Sequence, residues 1–276
     1  MATLRQKTTF VLRNPAGGCP RIFMKNLIIT FFAFATLSFG KVAGQSVVAN
    51  YLISQDIYGT GDLSEKKLAT IQSRGYLYRQ NNQYIYFERP NYLETYPNGS
   101  VEIQTGNNQQ YSRALCMDTI QRLSFVDMDS LQRIYRPHIA AKHPLRVNYR
   151  QSFEADYFSW IMLPEVREIN GLKCQKATMS IRDNLQWIVW VATEVPMQAG
   201  VLGVIGIPGL IVEADCVPLK TRYVLQSYSV GTSIPQSVFK PAEFLEKFDE
   251  MPALRKANLV PKGPSKIQRQ AELSNQ

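Results

Sequence analysis

Hydrophobic and polar residues alternate over short stretches of the chain, most regularly in its second half. This period of two predicts β-strands with one buried face. Asn170-Gly171 is typical of a hairpin turn between two such strands. Short strands joined by tight turns favour an antiparallel sheet over parallel β/α units. The clearest strand-like stretches are residues 157–162, 174–181, 187–191, 210–215 and 223–228.

Two segments break this alternation and predict short helices. Asp62 and Glu65 have the spacing of a capping box, and apolar residues follow at helical spacing as far as Gly75. Residues 241–250 place apolar side chains on one side of a second helix. The predicted fold class is therefore α+β and mainly β: a curved antiparallel sheet, like an open barrel, with short helices.

Composition and patterning together predict the domain organisation. Hydrophobic residues make up 45% of the chain and charged residues 19%, which is typical of a globular protein with a core. No internal repeat or linker interrupts residues 45–250, which we expect to form one domain. Residues 251–276 are polar, basic and nearly free of aromatics, so they predict a disordered C-terminal tail.

The first 44 residues have the features of an export leader. Met24-Lys25 precedes an uncharged, largely apolar run at 27–40, and small residues follow at 42–44. A run of this length fits a signal-peptide core, whereas a membrane span needs about 20 residues. We expect Met24 to be the true start and residues 24–44 to be cleaved. The mature chain would then be exported without a transmembrane span.

The formal net charge of +9 resembles that of a nucleic-acid-binding protein. The charge lies at the termini, however: residues 1–44 hold six basic and no acidic residues, and residues 251–276 hold five basic and one acidic. Subtracting these from 31 basic and 22 acidic residues leaves 20 and 21 between positions 45 and 250. A nucleic-acid interface needs positive charge on the folded surface, so this distribution excludes nucleic acid as a partner.

Three cysteines follow the leader, at Cys116, Cys174 and Cys216. An oxidising envelope compartment permits disulfides, and an odd number leaves one thiol over. Cys174 and Cys216 both fall in predicted core strands and are the candidate pair. Three buried free thiols are the equal alternative.

An uncharged, glycine-punctuated segment spans residues 199–212. Within it, Pro208 fixes φ and Gly209 tolerates a positive φ, a pair that predicts a type II turn. Two interpretations stay open for this segment: a turn buried beneath the sheet, or an apolar lip over a cavity.

These residues resemble the GLPGLI family of exported proteins of Gram-negative cell envelopes. The resemblance covers about residues 150–230. It is carried by Gly206-Ile207-Pro208-Gly209-Leu210-Ile211 and by Trp160, Ile169-Asn170-Gly171, Cys174 to Thr178, Trp187, Trp190, Thr193 and Glu194-Val195-Pro196.

The resemblance implies export, to the periplasm or the outer membrane, and a mostly β fold. It implies no reaction and no cofactor. The chain departs from the family at 197–203, where relatives carry Gly-Pro and an aromatic residue that are absent here. The hexapeptide 206–211, together with Trp187 and Trp190, is the candidate binding site. The two tryptophans are three residues apart and so are expected on opposite faces of one strand.

Candidate catalytic chemistry is sparse. The two histidines, His138 and His143, lack the spacing and companions of a zinc site. Cys116 lacks the surroundings of a known nucleophile. The sequence therefore predicts no metal or cofactor. It favours a non-enzymatic binder of an apolar small molecule or an envelope protein. The alternatives are a hydrolase using Cys116 or a histidine, and a structural accessory of an outer-membrane transport complex.

Overall fold

The computed structural model describes residues 45–59, 64–104, 110–117, 119–136, 148–240 and 248–256. These residues belong to one compact unit. Its strands are β1 (Val47–Tyr58), β2 (Lys67–Gln80), β3 (Gln83–Pro90), β4 (Ser100–Gln104), β5 (Gln110–Ala114), β6 (Arg122–Asp127), β7 (Gln132–Arg136), β8 (Tyr149–Ser152), β9 (Trp160–Ile169), β10 (Leu172–Ile181), β11 (Asn184–Ala192), β12 (Leu210–Cys216), β13 (Thr221–Val230) and β14 (Asp249–Glu250).

Twelve strands form one sheet in the order β14-β8-β7-β6-β3-β2-β1-β13-β12-β11-β10-β9. Its pairs are antiparallel except for β14 with β8, which is parallel. In the described part of the chain the two outermost strands, β14 and β9, do not pair with each other, so the sheet stays open. Strands β4 and β5 form a separate hairpin. The prediction of a mainly β fold is confirmed.

The hairpin between β9 and β10 turns at the dipeptide that the sequence indicated. Asn170 has φ of 54° and Gly171 has φ of 77°. Two consecutive positive φ values define a type I′ turn, whose twist matches that of the flanking strands. Asn-Gly suits it because asparagine tolerates the left-handed region and glycine has no Cβ to clash there.

The predicted helix from Asp62 to Gly75 is wrong. Residues 60–63 lie outside the described residues, and Lys67–Gln80 is strand β2. β2 pairs with β1 on one side and β3 on the other, and its burial alternates along most of its length. Paired neighbours on both sides outweigh the weak local preference of a capping box.

Two short 3₁₀ turns lie in the described ranges, at Val201–Gly203 and Gln236–Phe239. Most of the helix predicted over 241–250 lies outside the described residues, but its last two residues form strand β14 instead. None of the described helices is long and apolar enough to cross a membrane.

The chain between β11 and β12 runs over the inner face of the sheet, and we call residues 194–209 the crossing segment. It reaches β9, where the Trp160 Nε1 donates to the Ile205 carbonyl at 3.0 Å. It also reaches β6, since a Cβ on Gly203 would lie 2.0 Å from the Ser124 hydroxyl oxygen. β6 and β9 are eight positions apart in the strand order, about 38 Å in a flat sheet. The sheet must therefore curve around the crossing segment.

The predicted boundary of the tail at residue 250 is too early. Gln151 on β8 donates from Nε2 to the Pro252 carbonyl at 2.6 Å, and Leu254 forms a bridge with Phe153. Residues 251–256 therefore continue along the edge of the sheet beside β8. Residues 257–276 lie outside the described residues.

Candidate functional site

The hexapeptide 206–211 is largely buried. The side chains of Ile207, Leu210 and Ile211 are 1%, 0% and 1% exposed, whereas Gly206 and Pro208 reach the surface. The backbone carbonyl of Ile211 accepts a hydrogen bond from the buried Tyr51 hydroxyl at 2.9 Å. Of the two interpretations left open above, this geometry favours the buried turn.

The predicted type II turn at Pro208-Gly209 does not form as expected. Gly209 has no positive φ; the left-handed residue is Gly206, with φ of 76°. Position 209 requires glycine because of a close contact and not because of its φ. A Cβ there would lie 2.5 Å from the Ala192 carbonyl oxygen. The glycine allows the crossing segment to pass directly over the end of β11.

Side chains from three strands of the sheet hold the crossing segment. Arg79 on β2 donates from Nη1 to the Pro196 carbonyl at 2.5 Å. The Tyr84 hydroxyl on β3 accepts from the Gln198 amide at 3.1 Å. Together with Trp160 on β9, these contacts fix the segment as part of the core.

Trp187 and Trp190 lie on opposite faces of β11, as their spacing predicted. Trp187 is 6% exposed, and its ring packs 5.7 Å from that of Tyr223 on the inner face. Trp190 lies on the outer face, where the Arg167 guanidinium covers its ring at 4.0 Å. Arg167 also contacts Glu213 at 2.5 Å. Trp187 is therefore buried, and the Arg167 guanidinium occupies one face of the Trp190 ring.

The proposed pairing of Cys174 with Cys216 is wrong, and the alternative of free thiols is the one observed. Cys116, Cys174 and Cys216 are all buried, and none of them forms a disulfide among the described residues. Trp187 lies opposite both Met179 on β10 and Cys216 on β12. Cys174 is five residues from Met179 along β10, about 16 Å, and a disulfide needs Cα atoms within about 7 Å.

A cleft of about 490 Å³ lies between the inner face of β6 and β7 and the β4–β5 hairpin. Four arginines line it: Arg113, Arg122, Arg133 and Arg136. Its apolar wall consists of Ile57, Ile71, Leu115, Leu123, Leu202 and Leu219. Among the described residues, no aspartate or glutamate lines the cleft. None of the predicted binding residues lines it either.

The β4–β5 hairpin is anchored over the end of β1 and β2 by a small apolar cluster. Tyr92, Val101 and Leu115 pack there with Ile57 and Ile71. The Tyr92 hydroxyl donates to the carbonyl oxygen of Cys116, the residue after Leu115, at 2.9 Å. This packing places one wall of the cleft at a fixed distance from the sheet.

Glu88 and Arg122 form a buried ion pair beside the cleft. They lie opposite each other on β3 and β6, with 3.2 Å between Glu88 Oε2 and Arg122 Nη1. The Tyr86 hydroxyl donates to Glu88 Oε1 at 2.8 Å. Burial raises the pKa of the Glu88 carboxyl group, and Arg122 and the hydrogen bonds partly offset this. Burial alone would lower the pKa of Arg122, but the negative charge of Glu88, together with neighbouring groups, outweighs this effect, so that the pKa of Arg122 is raised.

Arg133 is partly buried and, among the described residues, has only uncharged hydrogen-bonding partners. Its Nε and Nη2 donate to the Gln151 side-chain oxygen at 3.0 and 2.6 Å. Its guanidinium lies 4.7 Å from the centre of the Tyr135 ring. Burial lowers the pKa of Arg133, but a guanidinium stays charged at neutral pH. Arg133 therefore adds positive charge to the cleft wall that no carboxylate among the described residues balances.

The Ser124 side chain is 5% exposed, and its hydroxyl has no hydrogen-bond partner within the described ranges. It lies opposite Tyr86 on β3 and Tyr135 on β7, in the same inward row. A buried polar group without a partner is costly and calls for an explanation. The cleft wall thus combines a hydroxyl with guanidinium groups.

The sequence prediction missed these cleft residues. Arg122 and Arg133 were counted only as charges, because a strand arginine is normally solvated. One signal was present: in Tyr84-Ile85-Tyr86-Phe87-Glu88, Glu88 falls in phase with the two inward tyrosines. A charge at an inward position predicts a buried partner, although not which one.

The described residues contain no group of three metal-ligating side chains. His138 and His143 lie outside the described residues. Cys116 does line the cleft, so the hypothesis of a Cys116–histidine pair stays a prediction.

No protein-family model matches the chain, and neither does any curated protein. Two crystal structures of PNGF-II, in different crystal forms, are similar to it, with TM-scores of 0.41 and 0.43 and sequence identities of 11% and 13%. Each match covers 79% of this chain and 33% of the other. The chain thus spans about a third of the length of those structures. The comparisons assign no activity to it.

Proposed function

We propose that this chain is an exported cell-envelope protein that binds a small molecule in the cleft beside β6 and β7, without catalysing a reaction on it. The cleft of about 490 Å³ carries this proposal. Its volume lies within the range of about 300–1,000 Å³ found for small-molecule sites, and its wall combines apolar side chains with a few polar groups.

The proposed compartment rests on the sequence. The leader-like residues 24–44 support export, and the resemblance of residues 150–230 to the GLPGLI family supports the envelope of a Gram-negative bacterium. The crossing segment has a structural part in this proposal. It occupies the inner face between β9 and β6, and the cleft lies next to it at the β4–β5 end.

The first experiment is native mass spectrometry of the protein purified from its own envelope, followed by denaturing extraction. A co-purifying small molecule of stoichiometric abundance supports the proposal. The variant Ala114→Trp places a bulky ring on the wall of the cleft and should abolish that species. Ser180→Trp, at an exposed position on β10, is the matched control and should retain it. An empty wild-type protein, or a ligand retained in Ala114→Trp, would contradict cleft binding.

Cys116 supports a second candidate, a thiol-dependent hydrolase, because this residue lines the same cleft. Its side chain is only 1% exposed, so a nucleophilic role requires access through the cleft. Replacement by Ser should then abolish any ester hydrolysis that the wild type shows, while the co-purifying ligand is retained. Hydrolysis unchanged in Cys116→Ser would eliminate this candidate.

A further inference from the structure

We propose that the ligand of this cleft is an organic anion: a negatively charged oxygen group on an apolar body, with the charged group held by Arg133 and its neighbours. This inference rests on the proposed function and specifies its ligand class. It replaces the purely apolar ligand expected from the sequence.

The charge balance of the cleft carries the first step. Of its four arginines, Arg122 is already neutralised by Glu88 at 3.2 Å. Among the described residues Arg133 hydrogen-bonds only to the neutral Gln151, and Arg113 is exposed at the cleft. Placing positive charge in a partly dehydrated wall is unfavourable unless an anion completes it. Guanidinium groups match carboxylate and phosphate oxygens in a bidentate geometry.

The Ser124 hydroxyl is an independent second observation. It is buried, has no partner among the described residues, and belongs to the cleft wall. A hydroxyl can donate to an anionic oxygen, which would relieve the cost of leaving it unpaired. Because Val126 is opposite Arg133 in the pairing of β6 with β7, Ser124 and Arg133 occupy the same inner face, two residues apart in register.

The opposite wall determines the rest of the ligand. Ile57 and Ile71 are 9% and 4% exposed, and Leu115 on the hairpin side is 2% exposed. These side chains offer no hydrogen bonds and favour an apolar body. The two walls together fit an amphiphilic anion better than either an inorganic ion or a neutral hydrocarbon.

The test compares two fluorescent probes with the same aromatic body. 8-Anilinonaphthalene-1-sulfonate carries an anionic group, and N-phenyl-1-naphthylamine lacks it. Both are titrated into the full chain, and then into Arg133→Gln and Arg113→Gln. Arg89→Gln is the matched control. Arg89 is exposed on the outer face of β3, and replacing it removes the same charge as each cleft variant does. Thermal melting of each variant establishes that it is folded. Arg113→Gln, with its exposed side chain, keeps the test open should Arg133→Gln unfold.

We expect the sulfonate probe to bind at one site. Its affinity should fall about tenfold or more in Arg133→Gln, and less in Arg113→Gln. Arg89→Gln should bind as the wild type does. The neutral probe should be insensitive to all three variants. Raising the salt concentration should weaken only the sulfonate probe. Displacement by decanoate and by decyl phosphate distinguishes carboxylate from phosphate as the preferred group.

Equal affinity for both probes, or sulfonate binding unaffected by both cleft variants, would overturn the anion assignment and leave cleft binding intact. Absence of binding by either probe, with no co-purifying molecule, would overturn the proposed function itself.

Discussion

The inner face of the sheet has two regions of opposite character. Across β9 to β12 it is filled by the crossing segment, and the side chains of Val189, Val191 and Ile205 are 0% exposed. Across β3, β6 and β7 it carries Glu88, Arg122 and other polar groups around a cleft. Both regions belong to one continuous sheet. The hexapeptide thus serves the packing of the fold, and the polar side chains of the inner face lie in the other region.

The reason for this division lies in the length of the crossing segment. Residues 194–209 are long enough to cover the inner face from β9 to β6 but stop there, at the contact of Gly203 with Ser124. Beyond that contact the β4–β5 hairpin lies over the inner face, and its apolar side chains pack against Ile57 of β1 and Ile71 of β2. The cleft is the space between the crossing segment and the β4–β5 hairpin.

Removing one charge from the polar region should have the largest effect on stability. Glu88→Gln leaves Arg122 buried without its counter-ion, which costs about 3–5 kcal/mol for comparable pairs. Urea denaturation measures the loss. The double variant Glu88→Gln/Arg122→Gln should recover a large part of it, because no uncompensated charge remains. Glu165→Gln, whose carboxylate pairs with Lys176 at an exposed position, should leave the stability close to that of the wild type. If Glu165→Gln and Glu88→Gln lowered the free energy of unfolding by similar amounts, the buried ion pair would not be a special feature of the polar region.

Within the filled region, the close approach at Gly209 should have the next largest effect. A Cβ at this position would lie 2.5 Å from the Ala192 carbonyl oxygen, a backbone atom that cannot move alone. We expect Gly209→Ala to lower the free energy of unfolding by about 3 kcal/mol. Gly171→Ala is the control: its φ is +77° but no atom lies within 4 Å of the added Cβ. It should cost about 1 kcal/mol from backbone strain alone. Equal losses would mean that the crossing segment shifts freely.

The sequence allowed the strands to be predicted better than the site. Residues 210–215 and 223–228 lie in strands β12 and β13 as predicted, and the Asn170-Gly171 turn requires nothing beyond its own two residues. The β2 strand was missed because its pairing with β1 and β3 is non-local, whereas a capping box is read from four consecutive residues.

The cleft itself had no local signature. Its arginines come from β5, β6 and β7, and its apolar wall comes from β1, β2 and loops far apart in the chain. Their proximity depends on strand order and sheet curvature, which a period of two does not encode. The hexapeptide was conspicuous in the sequence because burial at close quarters demands glycine and apolar residues, which is a packing requirement rather than evidence of binding.

The thiols provide a pH-dependent test of the filled region, because Cys174 lies on β10 and Cys216 on β12. Burial raises the pKa of Cys174 and of Cys216 to about 11, from an ordinary value near 9. At pH 8 the thiolate fraction is then about a hundredfold below that of an unfolded thiol. Iodoacetamide should label both slowly in the native protein and rapidly in urea, as followed by mass spectrometry of the peptides. Since unfolded thiols release their protons at lower pH, stability should fall as pH rises from about 9 to 11. Rapid native labelling of either thiol at pH 8 would show that its strand opens.

The outer face should be the most tolerant region, and Arg167 tests this. Its guanidinium covers Trp190 at 4.0 Å and contacts Glu213, but the side chain is 42% exposed. An exposed cation–π contact and an exposed ion pair each contribute about 1 kcal/mol or less. We therefore expect Arg167→Ala to lower the free energy of unfolding, measured by urea denaturation, by about 1 kcal/mol. Lys173→Ala, at an exposed position on the neighbouring strand, should lower it by less than about 0.5 kcal/mol. Glu213 keeps its second partner, Arg222, at 2.9 Å. A loss above about 3 kcal/mol would show that the contacts around Trp190 on the outer face stabilise the fold as strongly as core packing does.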